Sequence, residues 1–355
     1  MLRFGLVGTG LMAATILPAF DDTSEVEVVA VASHSRQRSR QFAQAFGIAN
    51  AHDSLQTMLE DKSIDAIYIA NRTVDHARTS IAALTAGKAV LCEKPFAVTA
   101  QEGEKVLLAA RQSRRLFMEA IWTHMLPSHR RFVELASSPE LGQPLHLYCD
   151  FGYPTTAAAL PRLFAAQGGG ALLDRGGYLI SLALKLLGPV SNVDAALLMG
   201  DAGVDLHASL QLLHQRGGHS QLSMSLVTLM SNCAVAACSE GTLRLAAPLL
   251  GSEAIAVKRA APAPTHPAPG TTTSRRQRMT LRLRRSRMLR RLRLALSANR
   301  TEYHSYGANP YAPMLRHFRD LVLSGSLESE VLPPALSLDT IRIIDLGRAA
   351  GKRLG

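Results

Sequence analysis

Residues 4–8, Phe-Gly-Leu-Val-Gly, run directly into Thr9-Gly10-Leu11-Met12-Ala13. A short apolar strand that ends in Gly-x-Gly-x-x-Ala and opens a helix is a turn built to hold a dinucleotide. Gly8 allows the tight turn and Gly10 lets the backbone approach a pyrophosphate at the helix N-terminus. Ala13 lets helix and strand pack closely. Thr9, Leu11 and Met12 share that turn and are expected to lie against the same cofactor. Strands and helices keep alternating beyond it. Residues 26–32, 51–52, 65–70 and 89–92 read as strands, and 36–46, 54–60 and 75–87 as helices. This order predicts an α/β chain that begins with a doubly wound parallel sheet.

The strand at 89–92 carries the strongest chemical signal. Lys88-Ala-Val-Leu-Cys-Glu-Lys-Pro95 is an apolar run that stops at a charged pair and a proline. Pro95 ends the strand. In open α/β sheets the carboxyl ends of the strands face the ligand crevice, so Glu93 and Lys94 are expected there. Asn71 and His76 follow the fourth strand and are expected beside the nicotinamide end of that crevice, where His76 is either a structural hydrogen-bonder or a substrate contact. The second strand ends at Ser33-His34-Ser35-Arg36, with no Asp or Glu to hold a ribose 2′-hydroxyl. Hydroxyls, a histidine, Arg36 and Arg38 suit a 2′-phosphate instead. The cofactor expected is therefore NADP, with NAD as the alternative.

Further along, Thr99 and Glu102 form a capping box, and 116–120 reads as a sixth strand leading to Trp122. Trp122 belongs either to the core or to a substrate wall. Phe151 and Tyr153 offer a face able to stack on a ring. If residues 174–178 are helical, Asp174 and Tyr178 lie four apart on one face, a carboxylate beside a phenol. Residues 190–199, 205–215, 220–229 and 235–245 read as strands of a broad, largely antiparallel sheet. The helix through 174–187 covers one side. The uncovered face predicts a homo-oligomer, dimer or tetramer. Amphipathic helices are expected at 309–323 and 337–354.

A length of 355 residues suits two domains, placed at 1–120 and 121–355. The net charge of +11 is local, because eleven arginines lie between Arg275 and Arg300 with no acid among them; without them the balance is about zero. A Pro-, Ala- and Thr-rich linker at 260–274 precedes them. A basic helix docking on RNA or an anionic membrane is one reading of that segment. An insertion in a surface loop at about 255–300 is the simpler one. Cys92, Cys149, Cys233 and Cys238 have no metal-ligand or disulfide spacing, so no metal is expected and a reduced cytoplasmic setting fits. No apolar run reaches membrane-spanning length and no signal peptide is recognised.

Taken in order, Gly8-x-Gly10-x-x-Ala13, His76, Glu93-Lys94-Pro95 and Asp174-x-x-x-Tyr178 resemble the Gfo/Idh/MocA oxidoreductases. The resemblance covers nearly the whole chain except roughly 255–300. Phe117-Met-Glu-Ala-Ile-Trp122 and Tyr178 point to the trans-dihydrodiol dehydrogenase and NADP-dependent xylose dehydrogenase branch. The resemblance implies an N-terminal Rossmann domain and a C-terminal α/β domain with a large open-faced sheet. It implies hydride transfer between nicotinamide and a carbohydrate, polyol or cyclic diol. It further implies that Lys94 binds the reacting hydroxyl, Tyr178 passes the proton, Asp174 orients the substrate, and Lys94–Pro95 is cis. A lysine beside the phenol is expected to lower the tyrosine's pKa. Departures are Asn71-Arg72 in place of the family's Thr-Pro, His34 where NADP-using relatives carry arginine, and Arg175-Gly176-Gly177, expected to be mobile. A non-catalytic dinucleotide-binding regulator and a redox-assisted glycosidase with tightly held NAD are the rival readings on this fold.

Overall fold

The computed structural model describes residues 1–260 and 299–354. Strands β1 (Leu2–Val7), β2 (Val26–Ala32), β3 (Asn50–His52), β4 (Ala66–Ile69), β5 (Ala89–Cys92) and β6 (Phe117–Glu119) form one sheet in the order β3-β2-β1-β4-β5-β6. Every pairing in it is parallel. The order reverses at β1 and β4, and this is the switch point where an open α/β sheet binds its ligand. β4 and β5 are buried along their whole length, as strands covered on both faces must be.

The connecting helices start where local chemistry says they should. Helix α1 (Leu11–Asp21) begins at Gly10. Ser35 caps α2 (Arg36–Phe46), Ser54 caps α3 (Leu55–Glu60), and Thr99 caps α5 (Ala100–Ser113). Between them, α4 (His76–Thr85) follows a single 3₁₀ turn. The capping box reaches one residue further back than expected: Glu102 accepts the N–H of Val98 at 3.2 Å.

After α6 (Pro127–Ala136) the chain builds the second sheet. Its strands are β7 (Pro144–Gly152), β8 (Val190–Met199), β9 (Asp205–His214), β10 (His219–Ser225), β11 (Ala234–Cys238), β12 (Gly241–Leu245), β13 (Ala254–Arg259), β14 (Asn299–Tyr303) and β15 (Lys352–Leu354). Among the described residues their order is β14-β13-β12-β11-β7-β10-β9-β8-β15. Only the β7–β10 and β8–β15 pairs are parallel. Helix α7 (Ala171–Leu187) packs across β7, β9 and β10. Leu147, Cys149, Leu210, Leu212, Leu222 and Met224 are buried with it, while Tyr148, Gln211, Leu213 and Gln221 on the alternate positions are exposed. Two late helices tie the sheets together. α8 (Ala312–Leu323) places Phe318 on Phe4 of β1 at 5.6 Å between centroids. α9 (Pro334–Ala350) packs on both α5 and α7.

Three boundaries differ from expectation. The strand expected over 220–229 stops at Ser225, whose Oγ accepts the N–H groups of Val227 and Thr228 and turns the chain. The helix expected to run to 354 stops at Ala350, and residues 352–354 join the sheet as β15. The insertion expected at 255–300 is too wide, because β13 and β14 pair antiparallel and take both of its ends. Arg300, counted with the arginine segment, belongs to that pair and bridges Glu140 at 2.9 Å. The rest of the linker and arginine segment, and with it the basic helix considered there, lies outside the described residues.

Candidate active site

The β1–α1 turn is shaped for close approach. Gly8 has φ +117°, and a Cβ there would lie 2.4 Å from the Ala70 carbonyl oxygen, so only glycine fits. A Cβ on Gly10 would meet nothing within 4 Å, so the space above it is open. No side chain caps α1 and its first turn carries no acid. The free N–H groups and the helix dipole there favour an anion, so this cradle fits the pyrophosphate of a dinucleotide. Ala13 is fully buried against the sheet.

At the end of β2 the Ser33 Oγ accepts the N–H of Ser35 at 3.2 Å and contacts the Ser39 hydroxyl at 3.1 Å. His34, Arg36 and Arg38 are exposed around the N-terminus of α2, which also has no acid in its first turn. Arg36 is not free, however: its Nε sits 2.7 Å from Asp53 Oδ1. Both partners are well exposed, so the pair is weak and gives way to a stronger anion at little cost.

The turn after β5 is held from three sides. Lys94–Pro95 is cis, as expected. Glu93 accepts the N–H of Lys94 at 3.2 Å and the hydroxyl of Tyr68. His76 Nδ1 lies 2.8 Å from the Pro95 carbonyl and Nε2 lies 3.3 Å from the Asn71 carbonyl. His76 is buried, burial lowers its pKa, and the neutral ring donates to Pro95. His76 thus serves the backbone. Glu119, at the end of β6, accepts the N–H of Phe96 at 3.1 Å. The Asn71 amide donates to Thr79 Oγ1 at 2.9 Å.

Helix α7 supplies the other half. Residues 174–178 are helical, and Asp174 and Tyr178 share a face as their spacing requires. Lys94 Nζ donates to the Asp174 backbone carbonyl at 2.7 Å and to Asp174 Oδ1 at 3.1 Å. Arg162, from the 3₁₀ turn Pro161–Phe164, reaches the same Oδ1 at 3.3 Å. Burial would raise the Asp174 carboxyl, but the charges and hydrogen bonds of Lys94 and Arg162 outweigh it and hold the group below its ordinary value. Oδ2 has no partner among the described residues.

Lys94 Nζ also lies 5.1 Å from the Tyr178 ring centroid, over the ring and not at its hydroxyl. That placement overturns the expected acidification of the phenol. Burial pushes the Tyr178 hydroxyl well above its ordinary value, and the negative charge of Glu93 raises it further. Trp122 Nε1 donates to the Tyr178 oxygen at 3.2 Å, and the Trp122 ring packs on Tyr311 at 4.8 Å. Phe151 meets the Tyr178 ring edge-on at 6.0 Å, and Tyr153 lies beside Phe151 at 5.9 Å. Trp122, Phe151, Tyr178 and Tyr311 therefore make one aromatic wall, and Trp122 is both packed and directed at the site.

Gly176 and Gly177 lie within α7, and Gly176 lets the helix pack closely. A Cβ on Gly176 would lie 3.1 Å from Leu172, with the Met224 sulfur 3.4 Å away. Gly177 is buried, yet a Cβ there would meet nothing within 4 Å, so α7 borders open space at this position, beside Asp174 and Tyr178. Tyr311, Arg162 and Glu119 were not singled out from sequence. Only Glu119 left a local signal, a lone charge inside the apolar run Leu116–Ile121.

Glu119 yields a pH prediction. Burial raises its carboxyl to about 7 from 4.5, so the folded state favours the protonated form. That contribution is complete below the unfolded value and is lost as pH rises through about 7. Above it, the ionised group costs the fold up to about 3 kcal/mol, because each tenfold change in proton affinity is worth about 1.4 kcal/mol. Thermal melts between pH 5 and 8 are expected to show wild-type Tm falling more steeply than that of Glu119→Gln. Parallel curves would contradict this.

Comparisons with known proteins agree with this fold. Residues 2–121 match the model of the oxidoreductase family with an NAD-binding Rossmann fold, and residues 129–244 match the GFO/IDH/MocA C-terminal domain. Mouse trans-1,2-dihydrobenzene-1,2-diol dehydrogenase is 31% identical over 250 residues, covering 69% of this chain and 74% of the mouse protein. The human enzyme of the same name is 31% identical, with 70% and 75% covered. The 3-ketoreductase KijD10 from Actinomadura kijaniata, solved with NADP and TDP-benzene, superposes with a TM-score of 0.80 at 24% identity, over 99% of this chain and 98% of that one. Levoglucosan dehydrogenase with NADH and levoglucosan gives 0.79 at 18% identity, over 98% and 96%. With both of its domains matched in order, the chain belongs to the Gfo/Idh/MocA family of NAD(P)-dependent oxidoreductases.

Proposed function

We propose that this protein transfers a hydride between NADP and a hydroxyl or carbonyl carbon of a sugar, polyol or cyclic diol. The observation that carries the reading is the meeting of Lys94 from the first sheet with Asp174 and Tyr178 from α7, beside the open space at Gly177. The bound nicotinamide supplies or takes the hydride. The chain's own residues handle the oxygen and the proton. The Lys94 ammonium donates to the reacting oxygen and stabilises the negative charge that grows on it. Asp174, pinned at Oδ1 by two cations, keeps Oδ2 for a neighbouring substrate hydroxyl. Tyr178 holds its proton firmly in the buried site, which suits donation to a carbonyl oxygen during reduction. Trp122 aims the phenol, and Phe151 completes an apolar face for the ring of the substrate. Gly8, Thr9, Gly10, Leu11 and Met12 take the pyrophosphate, Ser33, His34 and Arg36 the adenosine ribose end, and Asn71, Glu93 and Lys94 the nicotinamide side, with His76 behind them on the Pro95 and Asn71 carbonyls.

This division assigns residues 1–120 to the dinucleotide, and 121–355 to substrate and to self-association through the open face of the second sheet. A cytoplasmic location fits the four unpaired cysteines. Among the described residues no helix is long and apolar enough to cross a membrane.

Fluorescence titration of the purified protein with NADPH and NADH tests the cofactor assignment. One charge-assisted contact to a 2′-phosphate contributes about 1.5–3 kcal/mol. NADPH is therefore expected to bind at least about tenfold more tightly. Equal affinities, or tighter NADH binding, would overturn it. Cofactor that stays bound through gel filtration without exchanging would favour the glycosidase reading.

A further inference from the structure

Glu119 has no place in the chemistry just described, yet the protein keeps this carboxyl group 4% exposed within an otherwise apolar strand end. Burying such a group is costly unless it is hydrogen-bonded. What it holds is the backbone two residues beyond Lys94. Three successive main-chain groups of this turn are bound by side chains from three elements. Glu93 of the β5 end takes the Lys94 N–H, His76 of α4 takes the Pro95 carbonyl, and Glu119 of β6 takes the Phe96 N–H. The Phe96 side chain is fully buried on Phe117, with ring centroids 5.2 Å apart, and a Cβ on Gly103 would press against it at 3.0 Å. Phe96 is therefore anchored by its ring, and the Pro95–Phe96 peptide that leads back to Lys94 is held at both polar ends, its carbonyl by His76 and its N–H by Glu119. No other acceptor for the Phe96 N–H is found among the described residues.

We infer that Glu119 is a positioning residue for Lys94: by fixing the Phe96 peptide it sets where the Lys94 ammonium points. This rests on Lys94 acting on the reacting oxygen, but the geometric part stands apart from any activity. The chain has seven lysines, few enough for each to give a resolved signal in protein labelled with ¹³C at the lysine ε-carbon. The Lys94 signal is identified by its loss in Lys94→Ala. In Glu119→Ala the Lys94 signal is expected to move while the other six stay, and in Glu119→Gln, which keeps an acceptor for Phe96, it is expected to remain. With a turned-over substrate, Glu119→Ala is expected to lower kcat by about 10²-fold, the scale of a roughly 1 Å misplacement. KM and NADPH affinity are expected to change little, and Glu119→Gln to restore kcat. If Glu119→Ala does not fold, Glu119→Asp, too short to reach Phe96, takes its place with the same expectation. A Lys94 signal and kcat both unmoved in Glu119→Ala or Glu119→Asp, with only Tm lowered, would overturn the inference and leave Glu119 a stability residue. A moved signal in a protein that turns over no substrate would uphold the positioning while overturning the dehydrogenase reading.

Discussion

Tyr178→Phe is expected to lower kcat by about 10²–10⁴-fold, the usual scale for loss of a general acid or base, with NADPH affinity unchanged. The substitution removes one oxygen and keeps the ring. The edge-on contact with Phe151 and the cation over the ring both survive. What is lost is the proton donor and the acceptor for Trp122 Nε1. An unsatisfied buried indole N–H costs about 1–3 kcal/mol, so a modest fall in Tm is expected alongside the kinetic loss. Steady-state kinetics at saturating cofactor, with a melt on the same sample, separate the two effects. Wild-type kcat in the variant would remove Tyr178 from the reaction.

Lys94→Ala is expected to cost at least as much in kcat. It removes the only side-chain cation hydrogen-bonded at once to the main chain and the carboxylate of Asp174 among the described residues. The fold should tolerate it, because Arg162 still pairs with Asp174 at 3.3 Å and the carboxylate is not left alone. Asp174 would titrate higher with one of its two cations gone, so any residual activity is expected to fade at a higher pH on the acid side than in wild type. A variant with intact kcat would mean that another donor serves the reacting oxygen.

Much of the scaffold was legible in the sequence because its signals are local. Gly8, Gly10 and Ala13 act within one turn, and Ser35, Ser54 and Thr99 cap the helices that begin beside them. The four-residue spacing of Asp174 and Tyr178 is a property of any helix. What sequence did not reveal depends on partners far along the chain. Arg36 meets Asp53 across the β3 end, Tyr311 comes from the start of α8 to back Trp122, and Glu119 finds its donor at Phe96. The opposite direction of the Tyr178 shift has the same origin. Lys94 is near, but whether an ammonium lies at a hydroxyl or over a ring, and whether water reaches either, is set by the packing of two sheets. The strand expected through 226–229 overruns because Leu226, Val227 and Leu229 continue an apolar pattern after Ser225 has already turned the backbone.

The most direct test of hydride transfer at this site uses NADPH carrying deuterium at the nicotinamide C4, prepared separately on each face. Wild-type protein is incubated with a panel of aldoses, ketoses and cyclic hydroxyketones, and products are read by mass spectrometry. One face is expected to deliver its deuterium to the carbon of the former carbonyl, and Tyr178→Phe to slow that transfer by about 10²–10⁴-fold. Tight NADPH binding with the label retained on the cofactor across the whole panel would contradict a dehydrogenase and leave a binding protein built on the same fold.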